Sequence, residues 1–356
     1  MKILYLMHVD WNWIKQRPHF IAEKLHESGV EIDIYYTTYF YKDKLTVNGK
    51  GDLSINRIQR LPFSRFKIIK SINEKLYKHL ILKLLKKNKY DYVYITHPSL
   101  YLTEINIPII YDCMDDILAF NNNVESNMIM FEKECSLVNN AKYVLFTAEH
   151  LKATVLNRFK LENSSKYLIS NNAIELPEVI NQKEKFDLGT NNRIKLVYIG
   201  TITEWFDFEM LKRVDSSKYE FHLFGPVYNI KQNFPSNFII HGTVPREKIF
   251  SIMQASDILI MPFCVTELIK SVNPVKLYEY IFSCKPVITV KYGESEKFSD
   301  FVYFYENGDV NSFVECIEKI VNNDMAAKNS SNNCKSFVNN NTWLKRTKDI
   351  LEFIER

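Results

Sequence analysis

Apolar residues in the first half of the chain occur either in short continuous runs or at helical spacing. Continuous runs predict buried strands, and helical spacing predicts amphipathic helices. The predicted strands are Lys2–Val9, Glu31–Thr37, Tyr90–Thr96, Ile107–Tyr111 and Lys142–Thr147, and the predicted helices are Arg17–Ser28, Glu125–Val138 and Glu149–Phe159. Residues 38–66 break the pattern and are predicted to form a long excursion. The alternation predicts a mostly parallel sheet that is covered on both faces.

The pattern lapses into a polar stretch from Asn171 to Asn192 and then restarts. The predicted strands of the second half are Ile194–Gly200, Tyr219–Phe224, Phe238–His241, Asp257–Met261 and Val287–Val290, with helices between them. Asn322–Asn341 is predicted to be a surface loop with a short helix, and Thr342–Glu355 a final amphipathic helix.

The two patterned halves predict an α/β protein with two doubly wound domains that face each other across a cleft. The predicted bounds are 1–172 for the first domain, 173–193 for a linker and 194–335 for the second domain. Residues 336–356 are predicted to form a C-terminal helix that packs back toward the first domain. At 356 residues the chain is long enough for two hydrophobic cores.

Composition excludes several classes of protein. The chain has nine glycines and contains neither a G-x-G-x-x-G segment nor a Walker lysine loop, which argues against dinucleotide dehydrogenases and P-loop ATPases. Its six cysteines form no C-x-x-C pair, which argues against a zinc site or a disulfide framework and favours a reducing cytoplasm. No segment has the apolar length of a membrane span.

A strongly basic segment lies between Lys67 and Lys89, where eight lysines accompany one acidic residue, Glu74. Isoleucines and leucines recur among these lysines at helical spacing. The segment is therefore either a basic amphipathic helix that contacts anionic membrane or a core-packed helix with a solvated lysine face. The first reading places the protein in the cytoplasm, as a peripheral protein at the inner face of the cell membrane.

Candidate chemistry is concentrated in Ser271–Tyr280. Asn273 is a favourable N-cap, and Pro274 suits the first helical position. The free N–H groups of a helix start attract phosphate, and Lys276 adds a full positive charge in the first turn. Glu279 lies on the same face, where its carboxylate can accept both hydroxyls of a ribose. The segment predicts a nucleoside diphosphate site, and the alternative is an ordinary capped helix with a surface Lys–Glu pair.

Several segments together resemble GT-B glycosyltransferases of the family 4 type, in the branch of teichuronic-acid-type transferases and the glucuronosyltransferase of xanthan assembly. The resemblance spans nearly the whole chain. The segments that carry it are Asp10-Trp-Asn-Trp-Ile-Lys-Gln-Arg-Pro-His19, Tyr111-Asp-Cys-Met-Asp-Asp116, Tyr198-Ile-Gly-Thr-Ile-Thr-Glu-Trp-Phe-Asp207, His241-Gly-Thr-Val244 and Asn273-Pro-Val-Lys-Leu-Tyr-Glu279.

The resemblance implies a role for each matching position. Gly200 lets the backbone approach the donor phosphates, and Gly225 and Val244 lie near the nucleobase. Lys276 and the helix start hold the diphosphate, while Glu279 binds the ribose.

The chain departs from the family pattern at two places. Many members have a glutamate where this chain has Ser271, eight residues before Glu279. They also carry an arginine and a lysine in the segment that corresponds to Thr201–Asp207, which here contains no cation. These departures leave inversion and retention of the anomeric centre as open alternatives.

Glycosyl transfer needs positive charge on the leaving diphosphate and, for inversion, a base for the acceptor hydroxyl. Arg17 either reaches the donor phosphates from the first domain or anchors its own helix. Asp115 and Asp116 are the main candidates for the base, with one facing the cleft and the other capping a turn, or both capping. His97 is a further candidate or a loop residue.

The sequence thus predicts a glycosyltransferase that moves a sugar from a nucleotide-sugar donor, most simply a UDP-sugar, to a saccharide or polyprenyl-linked saccharide in surface polysaccharide biosynthesis. No cofactor, metal or nucleic acid is expected to take part. The alternatives are a nucleotide-sugar epimerase of GT-B architecture and a non-catalytic two-lobed sugar-binding protein.

Overall fold

The computed structural model describes residues 1–39, 53–120, 124–176, 186–230, 234–322 and 331–356. The chain divides into two compact units, of which the first contains residues 1–171 and 343–356 and the second contains residues 172–342. The described residues of the predicted linker therefore belong to the second unit. Residues 40–52, 177–185 and 323–330, which are parts of the predicted excursion, linker and surface loop, lie outside the described residues.

The first unit is a seven-stranded sheet with the order β3-β2-β1-β4-β5-β6-β7, in which every pairing is parallel. Its strands are β1 Lys2–Met7, β2 Glu31–Tyr39, β3 Ser54–Arg60, β4 Tyr92–Ile95, β5 Ile109–Cys113, β6 Tyr143–Phe146 and β7 Tyr167–Ile169. Its helices are α1 Arg17–Glu27, α2 Lys67–Lys87, α3 Val124–Asn140 and α4 Glu149–Phe159, followed at the end of the chain by α12 Trp343–Ile354.

The prediction of an excursion over 38–66 was wrong for Ser54–Arg60, which forms β3 at the edge of the sheet. This strand pairs with β2 from Asp33↔Ser54 to Tyr39↔Arg60. Ile58 is its one fully buried residue, while the other positions remain partly or fully accessible. An edge strand buries little surface, so its sequence lacks the apolar run by which the central strands are recognised.

The last helix, α12, packs on the first unit although it follows the second unit in sequence. Trp343 is buried, and its ring stacks on Phe20 of α1 with centroids 5.2 Å apart. The hydroxyls of Tyr92 and Tyr143 donate to the carbonyl of Ile354. The final helix predicted over Thr342–Glu355 is confirmed at Trp343–Ile354, whereas the predicted start of the C-terminal segment at residue 336 was wrong, because residues 336–340 belong to the helix Ser331–Asn340 of the second unit.

The second unit is a six-stranded sheet with the order β10-β9-β8-β11-β12-β13, again with parallel pairings. Its strands are β8 Ile194–Ile199, β9 Tyr219–Phe224, β10 Phe238–Gly242, β11 Ile258–Met261, β12 Val287–Val290 and β13 Tyr303–Tyr305. Its helices are α5 Phe208–Leu211, α6 Arg246–Ala255, α7 Glu267–Lys270, α8 Val275–Phe282, α9 Gly293–Glu296, α10 Val310–Val321 and α11 Ser331–Asn340.

The strand order reverses at one point in each sheet, between β1 and β4 in the first and between β8 and β11 in the second. Ligands of doubly wound proteins bind at the carboxyl ends of the strands beside such a reversal, because the connections on either side diverge and leave a crevice. The two reversals therefore indicate where a site should lie in each unit. No helix in the described part of the chain is long and apolar enough to cross a membrane.

Candidate functional site

Two glycines form the floor of the candidate site in the second unit. Gly200 and Gly225 end the neighbouring strands β8 and β9 with φ angles of +154° and +140°, which L side chains rarely adopt. A Cβ added to Gly225 would lie 2.1 Å from the carbonyl oxygen of Gly200. The two backbones are therefore in direct contact, and the carboxyl ends of β8 and β9 present main chain instead of side chains.

The side chain of Lys276 lies directly over Gly200. A Cβ at Gly200 would be 1.9 Å from Cε and 2.8 Å from Nζ of this lysine, so the glycine provides the space that the lysine occupies. The Nζ atom lies 5.7 Å from the ring centroid of Tyr198 and 5.8 Å from that of Phe263. No hydrogen bond or ion pair joins this ammonium to another residue in the part of the chain that the structure describes.

Burial lowers the pKa of Lys276, and the nearby charge of Glu279 opposes this shift. A partly buried cation that lacks a bonded partner has lost some of its hydration, and an anionic ligand compensates for that loss. The arrangement at Gly200 and Lys276 therefore favours a ligand with negative charge.

The helix start differs from its predicted form. Helix α8 begins at Val275 with Pro274 at the N-cap position, so the prediction that Asn273 caps it was wrong. The Asn273 side chain accepts hydrogen bonds from the backbone N–H of Asn172 and from the Tyr278 hydroxyl, and it donates to Glu294. Asn273 is buried and holds the entry to the helix in place, which makes it a positioning residue.

Glu279 and Val244 lie at the edges of this site. One carboxylate oxygen of Glu279, Oε1, accepts a hydrogen bond of 3.2 Å from Arg246 at the start of α6. The second oxygen, Oε2, has no bonded partner among the described side chains. Val244 follows β10 by two residues and is half-buried against the core of the second unit. The ribose and nucleobase contacts of both residues stay predictions.

The structure separates the two adjacent aspartates that follow β5. Asp116 is buried and forms a bidentate ion pair with Arg158, with both oxygens 2.7 Å from NH2. Asp115 reaches solvent, and no described residue bonds to its carboxylate. Surrounding protein atoms are the main cause that raises its pKa to about 6; the positive charge of Arg17 opposes this rise, and the negative charges of Asp112 and Asp116 contribute to it. Asp115 therefore has the accessibility and the pKa of a general base.

His97 follows β4 and caps the short turn Pro98–Leu100. Its Nδ1 accepts the N–H of Ser99 at 3.1 Å and bonds to the Ser99 hydroxyl at 2.8 Å. Burial, followed by the charges of Arg60 and Lys133, lowers its pKa to about 4. The ring is thus neutral at pH 7, and only Nε2 is available to a ligand.

Arg17 lies inside the first unit. Its Nε is 3.0 and 3.1 Å from the two oxygens of Asp112, which is fully buried, and its terminal nitrogens bond to Ser170 and to the carbonyl of Asn171. Every guanidinium nitrogen therefore has a partner within the unit. This placement favours the structural alternative over a contact with donor phosphates.

His8 was missed in the sequence, although it lies at the strand reversal of the first unit. It follows β1, its ring centroid is 4.9 Å from that of His97, and its Nδ1 is 2.9 Å from the hydroxyl of Thr96. Burial lowers its pKa to about 3. The signal was available, because His8 and His97 each end an apolar run and neighbouring parallel strands end at the same edge.

A second missed group is a chain of three side chains in the second unit. Glu220 bonds to Nε2 of His222 at 3.0 Å, and Nδ1 of His222 bonds to Nε2 of His241 at 2.9 Å. Because the carboxylate only accepts, both histidines donate from Nε2, which leaves Nδ1 of His241 as an acceptor beside Gly242. The alternation Glu-Phe-His within β9 was the available signal.

In the part of the chain that the structure describes, no cluster of three or more His, Cys, Asp or Glu side chains is arranged to hold a metal ion. The six cysteines are free thiols.

Comparisons with known proteins agree on the architecture. No protein-family model matches the chain. A putative teichuronic acid biosynthesis glycosyltransferase of Bacillus subtilis (strain 168), TuaH, is 25% identical over 233 residues, which is 60% of this chain and 58% of that protein. The alignment thus spans little more than half of this curated relative.

Solved structures resemble the chain over its whole length. Anabaena HepE in complex with UDP has a TM-score of 0.73 at 12% identity and full coverage of both chains. Sucrose-phosphate synthase from Thermosynechococcus elongatus has a TM-score of 0.77 at 11% identity, with 99% of this chain and 98% of that chain covered. These similarities confirm the predicted GT-B fold.

Proposed function

We propose that the protein is a glycosyltransferase that takes a sugar from a nucleoside diphosphate donor, with UDP as the carrier. The observation that carries this proposal is the partly buried Lys276 ammonium over Gly200, without a bonded partner among the described residues. It lies in the first turn of α8, whose free N–H groups add partial positive charge. The acceptor is proposed to be a saccharide or a lipid-linked saccharide of a surface polysaccharide.

The comparisons support the same reaction class. The Bacillus relative is named for teichuronic acid biosynthesis, and Anabaena HepE has been solved with UDP, with UDP-glucose and with UDP and glucose. All of these are proteins that this chain resembles. The HepE complexes each contain a uridine nucleotide, which supports UDP as the proposed carrier.

We assign one role in the reaction to the carboxyl edge of each sheet. Negative charge accumulates on the diphosphate as the anomeric bond breaks, and Lys276 with the start of α8 stabilises that charge. Asp115 takes the proton of the attacking hydroxyl, which is the role a base has in an inverting transfer.

Calorimetric titration with UDP, GDP and ADP, with and without Mg²⁺, tests the donor site. We expect one diphosphate to bind and Lys276→Ala to weaken it by about 10- to 100-fold, which is the loss of a charge-assisted hydrogen bond. Lys270→Ala is the matched control, because Lys270 is a surface lysine that pairs with Glu267. Equal affinity in the parent and in Lys276→Ala would mean that the donor site is assigned to the wrong residues.

The same titration bears on the alternatives. A sugar-binding protein without chemistry would bind a free sugar and none of the three diphosphates. An epimerase would convert a nucleotide-sugar without any acceptor, which nuclear magnetic resonance of the donor detects. A transferase releases the nucleotide in proportion to the acceptor that is added.

We also propose peripheral contact with the inner face of the cytoplasmic membrane. Ile68, Ile72 and Leu76 follow one exposed side of α2, and Val124 and Met128 are exposed at the start of α3. An ion pair of 3.4 Å between Lys67 and Glu125 joins the two helix starts. An apolar stripe that is bordered by lysines suits an anionic lipid surface.

Sedimentation with phosphatidylglycerol vesicles tests this contact, with phosphatidylcholine vesicles for comparison. Ile68→Ser with Ile72→Ser should release the protein from anionic vesicles, and salt should weaken binding by the parent. Val321→Ser is the control, since Val321 is an exposed apolar residue of the second unit. Binding that is unaffected by the α2 substitutions would refute the contact.

A further inference from the structure

The hydrogen-bonded chain of three side chains on β9 and β10 has an accessible end. Glu220 bonds to Nε2 of His222 at 3.0 Å, and Nδ1 of His222 bonds to Nε2 of His241 at 2.9 Å. Glu220 and His222 are buried, whereas His241, near the carboxyl end of β10, is only partly buried. The chain therefore connects the interior of the second unit to a ring that solvent can reach.

The carboxylate at the inner end fixes the direction of both hydrogen bonds. Asn191 donates to the two oxygens of Glu220 at 3.2 Å, and Arg193 forms an ion pair with it. Burial raises the pKa of Glu220, but the hydrogen bonds from Asn191 and His222 and the charge of Arg193 lower it overall, so the carboxylate only accepts. Each histidine then donates from Nε2, which makes Nδ1 of His241 an acceptor.

The ring of His241 is held in place, and its acceptor is open to a ligand. It stacks on Phe224 with centroids 4.1 Å apart and meets Phe186 at 6.2 Å. Burial lowers the pKa of both His222 and His241, so the two rings are neutral at pH 7. No described residue bonds to Nδ1 of His241, and protein does not enclose this atom.

The end of β10 adjoins the proposed donor site. The N–H of Gly225 donates to the carbonyl of Gly242 at 2.7 Å, which joins the ends of β9 and β10. Arg246 begins α6 shortly after Gly242 and bonds to Glu279, the proposed ribose ligand. We therefore expect a nucleotide whose ribose lies at Glu279 to place its base beside the end of β10, where His241 lies.

We propose that Glu220 and His222 fix His241 as the hydrogen-bond acceptor that selects uracil over cytosine. Uracil carries a hydrogen on N3, whereas N3 of cytosine is itself an acceptor and would leave both groups without a donor. His241 contacts the base in this arrangement, and Glu220 and His222 are positioning residues that act through it. This inference rests on the proposed function and names the residues that determine the nucleobase specificity of the same site.

Calorimetric titration with UDP and CDP tests the proposal, since the two nucleotides share their ribose and diphosphate. The parent should bind UDP at least about tenfold more tightly than CDP, which is the effect of one hydrogen bond against two facing acceptors. His241→Phe keeps an aromatic ring on Phe224 and removes the acceptor. The affinity for UDP should then fall by about tenfold, while the affinity for CDP should not fall.

Glu220→Gln tests the positioning role at a residue that does not contact the ligand. The amide can donate to Nε2 of His222, which allows both rings to change tautomer and present an N–H at Nδ1 of His241. The ratio of the UDP and CDP affinities should therefore fall. Glu267→Gln, which removes the same charge from a surface pair with Lys270, is the matched control and should keep the parental ratio.

The outcomes separate this inference from the donor site itself. Equal affinity of the parent for UDP and CDP overturns the inference and leaves the donor site in place. A parental preference for UDP in folded His241→Phe or folded Glu220→Gln also overturns it, as does an equal fall of both affinities, which indicates general damage. If Glu220→Gln does not fold, His241→Phe decides alone. Failure of the parent to bind UDP, CDP, GDP or ADP overturns the proposed function, and this inference with it.

Discussion

The two sheets have the same strand order up to their sixth strand and reverse at the same point. The residues that follow the strands at the two carboxyl edges are nevertheless of different types. In the second unit Gly200 follows β8, one of the two strands at the reversal, and Gly225 follows its other neighbour β9, with the ammonium of Lys276 over Gly200. In the first unit the two strands at the reversal, β1 and β4, are followed by His8 and His97, and β5 is followed by Asp115. One edge presents main chain, and the other presents titratable side chains.

The difference follows from what each edge is proposed to do. A diphosphate is bound by N–H groups and fixed charge, which require close approach of the backbone and therefore the absence of side chains. Proton transfer requires a side chain whose pKa lies near the working pH. The same topology can thus hold an anion in one unit and position a base in the other, because only the residues at the strand ends differ.

The largest expected effect is on the rate of transfer, when the proposed base of the first unit is removed. Asp115→Asn should lower kcat for transfer by roughly 10²- to 10⁴-fold, which is the usual contribution of a general base. The affinity for UDP should stay the same, since Asp115 belongs to the first unit and the proposed donor site around Lys276 is built from the second. Initial rates of UDP release and a calorimetric titration of the same preparation measure the two quantities.

Asp116→Asn is the control for that experiment. Asp116 is bound by Arg158 on both oxygens, so its replacement should lower the melting temperature more than the rate per folded molecule. A loss of rate in Asp116→Asn with Asp115→Asn still active would reverse the assignment of the base.

The next effect concerns stability. Arg17→Gln leaves the buried carboxylate of Asp112 without its cation and should lower the free energy of unfolding by roughly 3–5 kcal/mol. Urea denaturation measures this, and Lys15→Gln, which removes a surface pair with Glu23, should cost about 1 kcal/mol or less. A stable Arg17→Gln protein with weakened UDP binding would instead favour a contact with the donor.

A smaller effect is expected on the affinity for UDP at the proposed donor site of the second unit. Gly200→Ala adds a Cβ that would lie 1.9 Å from Cε of Lys276, at a φ angle that alanine rarely adopts. The lysine must move, so UDP binding should weaken by about 10- to 100-fold. Gly293→Ala is the matched control, because its Cβ would meet no atom within 4 Å. Unchanged affinity in Gly200→Ala would show that the lysine is not held by this contact.

The smallest effect is a dependence on pH. A base acts only after losing its proton, so activity that depends on Asp115 is present above its pKa and is lost as the pH falls through about 6. The value of kcat/KM should therefore fall by about tenfold per unit below that pH and level off above it. The inflection should be absent from Asp115→Asn. Its persistence in that variant would assign the titration to another group.

Much of the fold could be predicted from local pattern. The bounds of β9, β12 and α4 match their predicted ranges, because each combines a clear apolar pattern with a polar boundary. The edge strand β3 and the short strands β7 and β13 were not predicted. Short or marginal strands bury too little surface to leave a distinct run, and only pairing with a neighbour defines them.

The residues of the candidate sites were likewise predictable only in part. Lys276 and Glu279 could be singled out because two charged residues on one face of a predicted helix start are conspicuous, and Gly200 was implied by the family resemblance. The different states of Asp115 and Asp116 could not be predicted, since the partner that binds Asp116 is Arg158, 42 positions away. The same holds for Arg17, whose carboxylate partner is 95 positions away.

The sequence by itself determined the α/β class, the positions of the long buried strands and the choice of Asn273–Glu279 as the candidate anion-binding segment. These depend on periodicity and on residue type, which are local properties. Only the tertiary structure decided which charges are bound inside the protein and which can reach a ligand. Burial and ion pairing depend on residues that are distant in sequence, so Asp115 and Lys276 were distinguished from Asp116 and Arg17 only when the chain was folded.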